Sequence, residues 1–442
     1  MKFPRLTALA WLLPGLLASF AARAQPASAP AAPPVRDLAY YLAQAQQNSP
    51  LARDAQNQVQ AAGLEAQRLR ALYTRAQVTV SGNYLVAPVL SHDNGQTKLL
   101  YSGENATNYT GYDKALSNGA LYQGLVQLTQ PLFATGRYNV YAQQTQNLAL
   151  SQQNLARLSV HDLEKLVADQ YILCRQDLEQ LTYVRELLAI LNTQSLLVRK
   201  LVEASLLKQS DYTLLTIEQQ TQQLALNTYR AAYRRDLLDL NVLSGIGDTT
   251  EVVLPAPNVT LQRTPVAAPR FLERYRLDSL GLAATQQVFE LRYRPQASAF
   301  VNGGLNAVSF GDIPNRFGTS AGLSFSLFLF DGHQRELSRQ RTGILLRSVQ
   351  QARQNFQTVN PVREQRILGE LRALEERQRL ARAQLASYRS LLDSYKREVI
   401  AGQLSVINYV QVLKSYAAAS RDLVLLDNNR LLLINAYNYW NW

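Results

Sequence analysis

Residues able to do chemistry are few in this chain and far apart. The single cysteine, Cys174, excludes an internal disulfide framework and a cysteine-rich metal site. The histidines, His92, His161 and His333, have no ligand spacing and read as surface or loop residues. There are no paired carboxylates in a cleft-like setting, no nucleophile motif and no phosphate-binding loop. Gly245-Ile246-Gly247 is too short for such a loop and closes a helical pattern, so it reads as a stop signal. This pattern points away from an enzyme and calls for no metal or cofactor. Ser210 and Asp211, at a chain reversal, have the chemistry of helix caps.

The elements that position these residues are long. From Arg137 to Ser205 the chain has neither Pro nor Gly, and one stripe at 3/4 spacing runs from Ala156 through Leu163, Val167, Cys174, Leu181, Leu191 and Val198 to Ser205. That is a heptad-like seam. Leu166, Leu173, Leu187 and Leu201 lie off it, so the helix is expected to meet neighbours on more than one side. At 1.5 Å per residue it would be roughly 100 Å long. Asp37 to Thr74 reads as another helix, with a restart at Asn48-Ser49-Pro50. Between the two, Val78–Val86 and Tyr122–Thr129 alternate apolar and polar residues as strands do, joined by a polar, Gly/Asn/Tyr-rich loop over 87–117.

The N-terminus reads as an export signal over 1–24. Lys2 and Arg5 precede an apolar run, and Ala22-Arg23-Ala24 fits a cleavage site. A Pro/Ala-rich linker covers 25–36. The chain holds 45 basic and 33 acidic residues among its 442. The basic ones are dispersed among Gln and Glu along helices, which speaks for solvated faces and against nucleic acid. Beyond the signal there is no apolar run near the ~20 residues of a membrane helix, so any membrane crossing must use strands.

The second half repeats the first. Repeat 1 (37–250) reads as helix, β-hairpin 77–130, long helix 137–205 and return helix 212–244. A Pro-punctuated connector (251–269) leads to repeat 2 (270–442), with a helix, β-hairpin 297–330, long helix 333–402 and return helix 406–442. Phe133 and Phe330, Leu128 and Phe325, and Tyr212 and Tyr409 are each 197 residues apart, as an internal duplication requires. Pro361 interrupts the second long helical pattern and predicts a kink or bulge.

Four strands per chain are too few for a closed barrel, since known single-chain barrels start at about eight, and open edges suit neither lipid nor solubility. Several copies pooling strands, or a small soluble sheet capping a helical bundle, both satisfy the alternation. A periplasmic coiled-coil adaptor would also have a long helical hairpin, but not two duplicated β-hairpins.

The order of elements, its duplication, and the phrases Gln130-Pro131-Leu132-Phe133 with Gly136-Arg137, Leu329-Phe330-Asp331-Gly332, and Gly402-Gln403-Leu404-Ser405 followed by Asn408-Tyr409 resemble the TolC-like outer-membrane efflux proteins. The resemblance spans nearly the whole mature chain. It implies a mainly α fold with a small β part: a long coiled-coil tunnel, and four strands per protomer given to a 12-stranded barrel of a homotrimer in outer-membrane lipid. It implies a passive exit duct of an efflux pump or, alternatively, of a type I secretion system. The partners implied are a periplasmic membrane-fusion adaptor and, indirectly, an inner-membrane transporter of RND or ABC type.

Carried onto this chain, the adaptor-docking tips are Ser205, Leu206, Leu207, Lys208, Gln209 and Ser210, with Gly402, Gln403, Leu404 and Ser405. Family members place acidic residues at the narrowest point; the matching positions here are Asn408 and Gln411, with Asp211 matching Asn408 in the first hairpin. The loops 87–117 and 310–317 would face outside. Trp440 and Trp442 are expected to pack against the outside of the tunnel.

Overall fold

The computed structural model describes residues 34–442 apart from Ser49, Arg263 and 265–268. The expected export signal, most of the linker and part of the connector lie outside the described residues. Asp37 accepts the Tyr40 N–H at 2.9 Å and so starts α1 (Leu38–Asn48); α2 (Pro50–Thr74) restarts on Pro50, whose missing N–H costs nothing in a first turn. Then follow β1 (Gln77–Val86), β2 (Val89–Ser91), β3 (Lys98–Leu100), β4 (Tyr109–Thr110), the single turn α3 (Lys114–Ser117) and β5 (Ala120–Leu132). The first half ends with α4 (Thr135–Glu203), 69 residues long, and α5 (Gln209–Leu243). The second half is α6 (Phe271–Glu290), β6 (Gln296–Ala307), β7 (Phe317–Ser326), α7 (Gln334–Ile400) and α8 (Val406–Trp440).

The two long helices organise the wall. The smaller helices α2 and α5 pack on α4 at successive levels, and α6 and α8 both lie between α4 and α7. Of the seam read from the sequence, Leu163, Val167, Cys174, Leu181, Val184, Leu191 and Val198 are buried. Leu187, placed off that seam, is buried as well, which is what a helix with neighbours on several sides requires. No described helix is long and apolar enough to cross a membrane.

At one end the strands form a four-stranded antiparallel sheet in the order β1-β5-β6-β7, so β1 and β7 are free edges. Register rows such as Val78–Leu128–Val301–Ala321 put one apolar face across all four strands. That face is open: Val80, Leu323 and Phe325 are 81%, 78% and 70% exposed. None of the four strands carries a charged residue.

The structure departs from the sequence reading in four places. The second hairpin, expected to run to Phe330, ends at Ser326, because β6 begins at Gln296 opposite it and no partner backbone continues the ladder. The loop over 87–117 is not structureless: β3-β2-β4 form a small sheet of their own. The carboxylate of Asp93 ties it, accepting from Ser91 Oγ at 2.8 Å and from the backbone N–H groups of Thr107 and Asn108 at 2.9 and 2.8 Å, besides the Thr107 hydroxyl. These bonds hold that carboxyl well below its usual range. Helix α7 runs unbroken through Pro361, which sits on an exposed face where water can reach the carbonyl left without its N–H partner. His161 is no surface residue; it lies within α4, stacked on Trp442 with ring centroids 4.0 Å apart.

A belt crosses the wall at mid-height. Val35 bridges Val253, and the hydroxyls of Tyr171 and Tyr233 donate to the Pro255 and Val252 carbonyls at 2.8 and 2.7 Å. The chain end joins it: Asn438 donates to the Thr260 carbonyl at 2.8 Å, and Trp440 lies under the Arg363 guanidinium at 3.6 Å.

Candidate functional site: the paired helix tips

The far end of the wall holds the two reversals. Leu187, Leu191, Val198 and Leu215 of the first hairpin share one apolar cluster with Leu385, Leu392, Val399, Val406, Tyr409 and Leu413 of the second. Both reversals therefore sit at the same end, side by side. Leu207 and Leu404 fold back onto this cluster, whereas Leu206, Ile400 and Ile407 are 69%, 49% and 58% exposed. Lys208, Gln209, Ser210, Gly402, Gln403 and Ser405 are exposed too. The structure thus brings the ten tip residues chosen from the sequence to one end of the wall, eight of them exposed and Leu207 and Leu404 turned onto the shared cluster.

The two tips are built alike although their residues differ. Ser205 and Gly402 both have left-handed backbone, with φ of 61° and 69°. The N–H of Leu206 reaches the Leu201 carbonyl at 2.8 Å, and that of Gln403 reaches the Glu398 carbonyl at 2.9 Å. This is the same helix-ending pattern 197 positions apart. Serine carries a steric cost there that glycine does not, about 1 kcal/mol. Ser205→Gly is expected to stabilise the first hairpin by about that amount, read as a rise in melting temperature; a lowered midpoint would count against the shared geometry.

Helix starts are matched as well. Ser405 Oγ accepts the Ile407 N–H at 3.3 Å. In the first hairpin the cap position is Lys208, and Asp211 reaches back to accept the Lys208 N–H at 3.2 Å. Asp211 therefore serves the helix start as one half of a capping box. Asn408 and Gln411 are exposed on α8 and present neutral amides.

An acid near the tips that the sequence reading passed over is Glu218. It is buried on α5 and pairs across hairpins with Lys414 at 3.3 Å. A cavity of about 370 Å³ lies beside this pair, bounded by α4, α5 and α8. Only the meeting of α5 with α8 reveals it, since nothing in local spacing marks Glu218 as different from other helix acids. Among the described residues, no group of three or more His, Cys, Asp or Glu is placed to hold a metal ion.

No protein-family model matches the sequence, and no curated protein matches it either. Solved structures do match in fold. A membrane protein from Pseudomonas aeruginosa superposes with a TM-score of 0.71 at 14% identity, over 91% of this chain and 90% of that one. The outer membrane protein VceC from Vibrio cholerae gives 0.68 at 14% identity, over 91% and 95%. The open state of the Neisseria gonorrhoeae MtrE outer membrane channel gives 0.68 at 11% identity, over 91% and 88%. Along 91% of its length, this chain has the fold of the TolC-like outer-membrane channels.

Proposed function

We propose that this protein is the outer-membrane exit duct of a tripartite efflux pump, working as a homotrimer. The observation that carries the reading is the sheet: four uncharged strands, an exposed apolar face and two unpaired edges, β1 and β7. Backbone groups at such edges need partners inside lipid. Pairing β7 of one copy with β1 of the next, three times over, closes a barrel with no edge left. The helical walls would then enclose a tunnel on the periplasmic side.

In this reading the surface of Leu206, Lys208, Gln209, Gln403 and Ser405 docks a periplasmic adaptor, through which an inner-membrane transporter supplies energy. Entrance gating by an acidic ring is not expected, because Asn408 and Gln411 are neutral and the Asp211 carboxylate is engaged at its helix start.

The test is membrane fractionation, crosslinking in detergent and conductance of the purified protein in planar bilayers. Outer-membrane recovery, a crosslinked trimer and steady conductance that added divalent cations leave unchanged are expected. A soluble monomer without conductance sinks the proposal; a conducting channel blocked by divalent cations sinks the part about the entrance.

A further inference from the structure

Two surface cavities of about 720 and 660 Å³ adjoin at the belt and share Arg157, Arg270 and Trp442 in their walls. The first lies between α2 and α4; the second is bounded by α4, α6 and α7. Both are lined by residues of one chain.

Their charge is lopsided. Four guanidiniums line them, those of Arg157, Arg270, Arg276 and Arg353, against the side-chain carboxylates of Glu164 and Glu273 and the main-chain carboxylate of Trp442, an excess of one positive charge, and Glu273 lies close enough to Arg157 for their charges to attract. Glu273 is held by both arms of Arg276, at 2.8 and 2.5 Å, and Glu164 accepts from Gln46 at 2.6 Å. Among the described residues, no carboxylate lies within ion-pair distance of Arg157, Arg270 or Arg353. From Leu337 to Val362, α7 carries four arginines and no acid, so no neighbouring turn relieves that charge. Such a concave surplus of guanidinium attracts carboxylates, which it can bind with two parallel hydrogen bonds.

The shared wall is a stack of rings. Trp442 stacks on His161 at 4.0 Å with planes 10° apart, and Tyr439 stacks on the same imidazole at 4.8 Å. His161 Nε2 faces the Tyr439 carbonyl at 3.0 Å; a carbonyl only accepts, so Nε2 carries the proton. Arg270 lies over the Trp442 ring at 5.0 Å and donates its backbone N–H to a main-chain carboxylate oxygen of Trp442 at 3.0 Å. The first cavity continues from there along the amides of Gln56, Gln60 and Gln153. Side-chain amides both donate and accept, which matches a peptide backbone.

We propose that this double cavity binds an extended acidic peptide segment, its carboxylates on Arg157, Arg270 and Arg353 and its backbone along the glutamines. The site does not depend on conduction, so its failure and that of the channel reading are separable.

The probe is hexaglutamate, titrated into the full chain in detergent and followed by tryptophan fluorescence and calorimetry, with free glutamate, inorganic phosphate and hexalysine as comparison arms. Saturable binding that weakens with salt is expected for hexaglutamate and none for hexalysine. Arg157→Gln and Arg353→Gln are each expected to weaken it about tenfold. Gln56→Ala with Gln153→Ala should weaken hexaglutamate while leaving free glutamate unchanged, a split that loss of folding would not produce. Absence of hexaglutamate binding, affinity unchanged in the Arg157→Gln/Arg353→Gln double variant at an unaltered melting temperature, or phosphate binding as tightly as the peptide overturns the proposal.

Discussion

Arginine at both Leu323 and Phe325 is expected to abolish assembly and outer-membrane recovery, whereas arginine at Ser324 between them leaves both intact. Alternate residues of β7 point to opposite faces. Leu323 and Phe325 are 78% and 70% exposed and lie opposite Ala299 and Ala297, on the face that also carries Val301, Leu128 and Val78. If that face meets lipid, an arginine costs about 2–4 kcal/mol near the bilayer midplane and about 0–1 kcal/mol near its edges, so Leu323, nearer the middle of β7, carries most of the effect and Phe325, next to its end, less. Repeated in every copy, the sum is comparable with the stability of folded proteins, about 5–15 kcal/mol. If the face meets water, exposed substitutions of this kind stay within about 0.5 kcal/mol. The two readings of the sheet therefore differ by an effect that a trimer band on a detergent gel resolves. Wild-type assembly of the double variant would place the face in water.

Asp177→Asn is expected to stabilise the protein above pH 7, by an amount that shrinks as pH falls from about 7 toward 4. Asp177 is buried on α4, and its Oδ2 has no hydrogen-bond partner. It faces α5, where Asp236 is paired with Arg235 at 2.8 Å and Asp239 lies one turn on; the Cys174 thiol, itself raised by burial, is the adjacent titratable group on α4. Burial first, and then the charge of Asp236, push the Asp177 carboxyl up to about 7. An unfolded aspartate titrates near ~3.9.

Between those values the folded chain binds more protons than the unfolded one, so stability falls as pH rises and is lowest above 7. An asparagine of the same shape carries no charge to desolvate. Each tenfold change in proton affinity between the folded and unfolded chain is worth roughly 1.4 kcal/mol. A gain on the order of 2–4 kcal/mol at pH 8 is therefore expected, shrinking toward zero near pH 4. Melting temperatures of wild type and variant across this range provide the measurement. A variant less stable at pH 8, or a wild type with a flat profile, would show that Asp177 is charged and satisfied in the fold.

What the amino-acid order determines by itself is whatever a single face of a single element can express. The 3/4 spacing from Leu163 to Val198 declares a helix with a buried stripe, and that stripe is buried. Alternation in 78–86 and 297–307 declares strands, and Pro50 announces a helix start that the structure places at it, whereas Ser210 and Asp211, read as caps, lie within the first turn of α5, which begins at Gln209. The 197-residue offset is legible because duplicated elements keep their periods, even where Ser205 stands for Gly402.

Tertiary structure decides whatever depends on partners far along the chain. The small sheet inside 87–119 has no period to read; it exists because Asp93 collects donors 14 and 15 residues away. His161 and Trp442, 281 positions apart in the numbering, meet only because the C-terminal helix returns to the belt. The exposed face of Pro361, the burial of Glu218 against Lys414 and the opposition of Asp177 to Asp236 are likewise set by which helix lies alongside which. The tip residues stand between these cases. Their reversal is local, so the sequence located it; that both tips share one apolar cluster, and that Asp211 is engaged at its own helix start, follows from packing and backbone geometry alone.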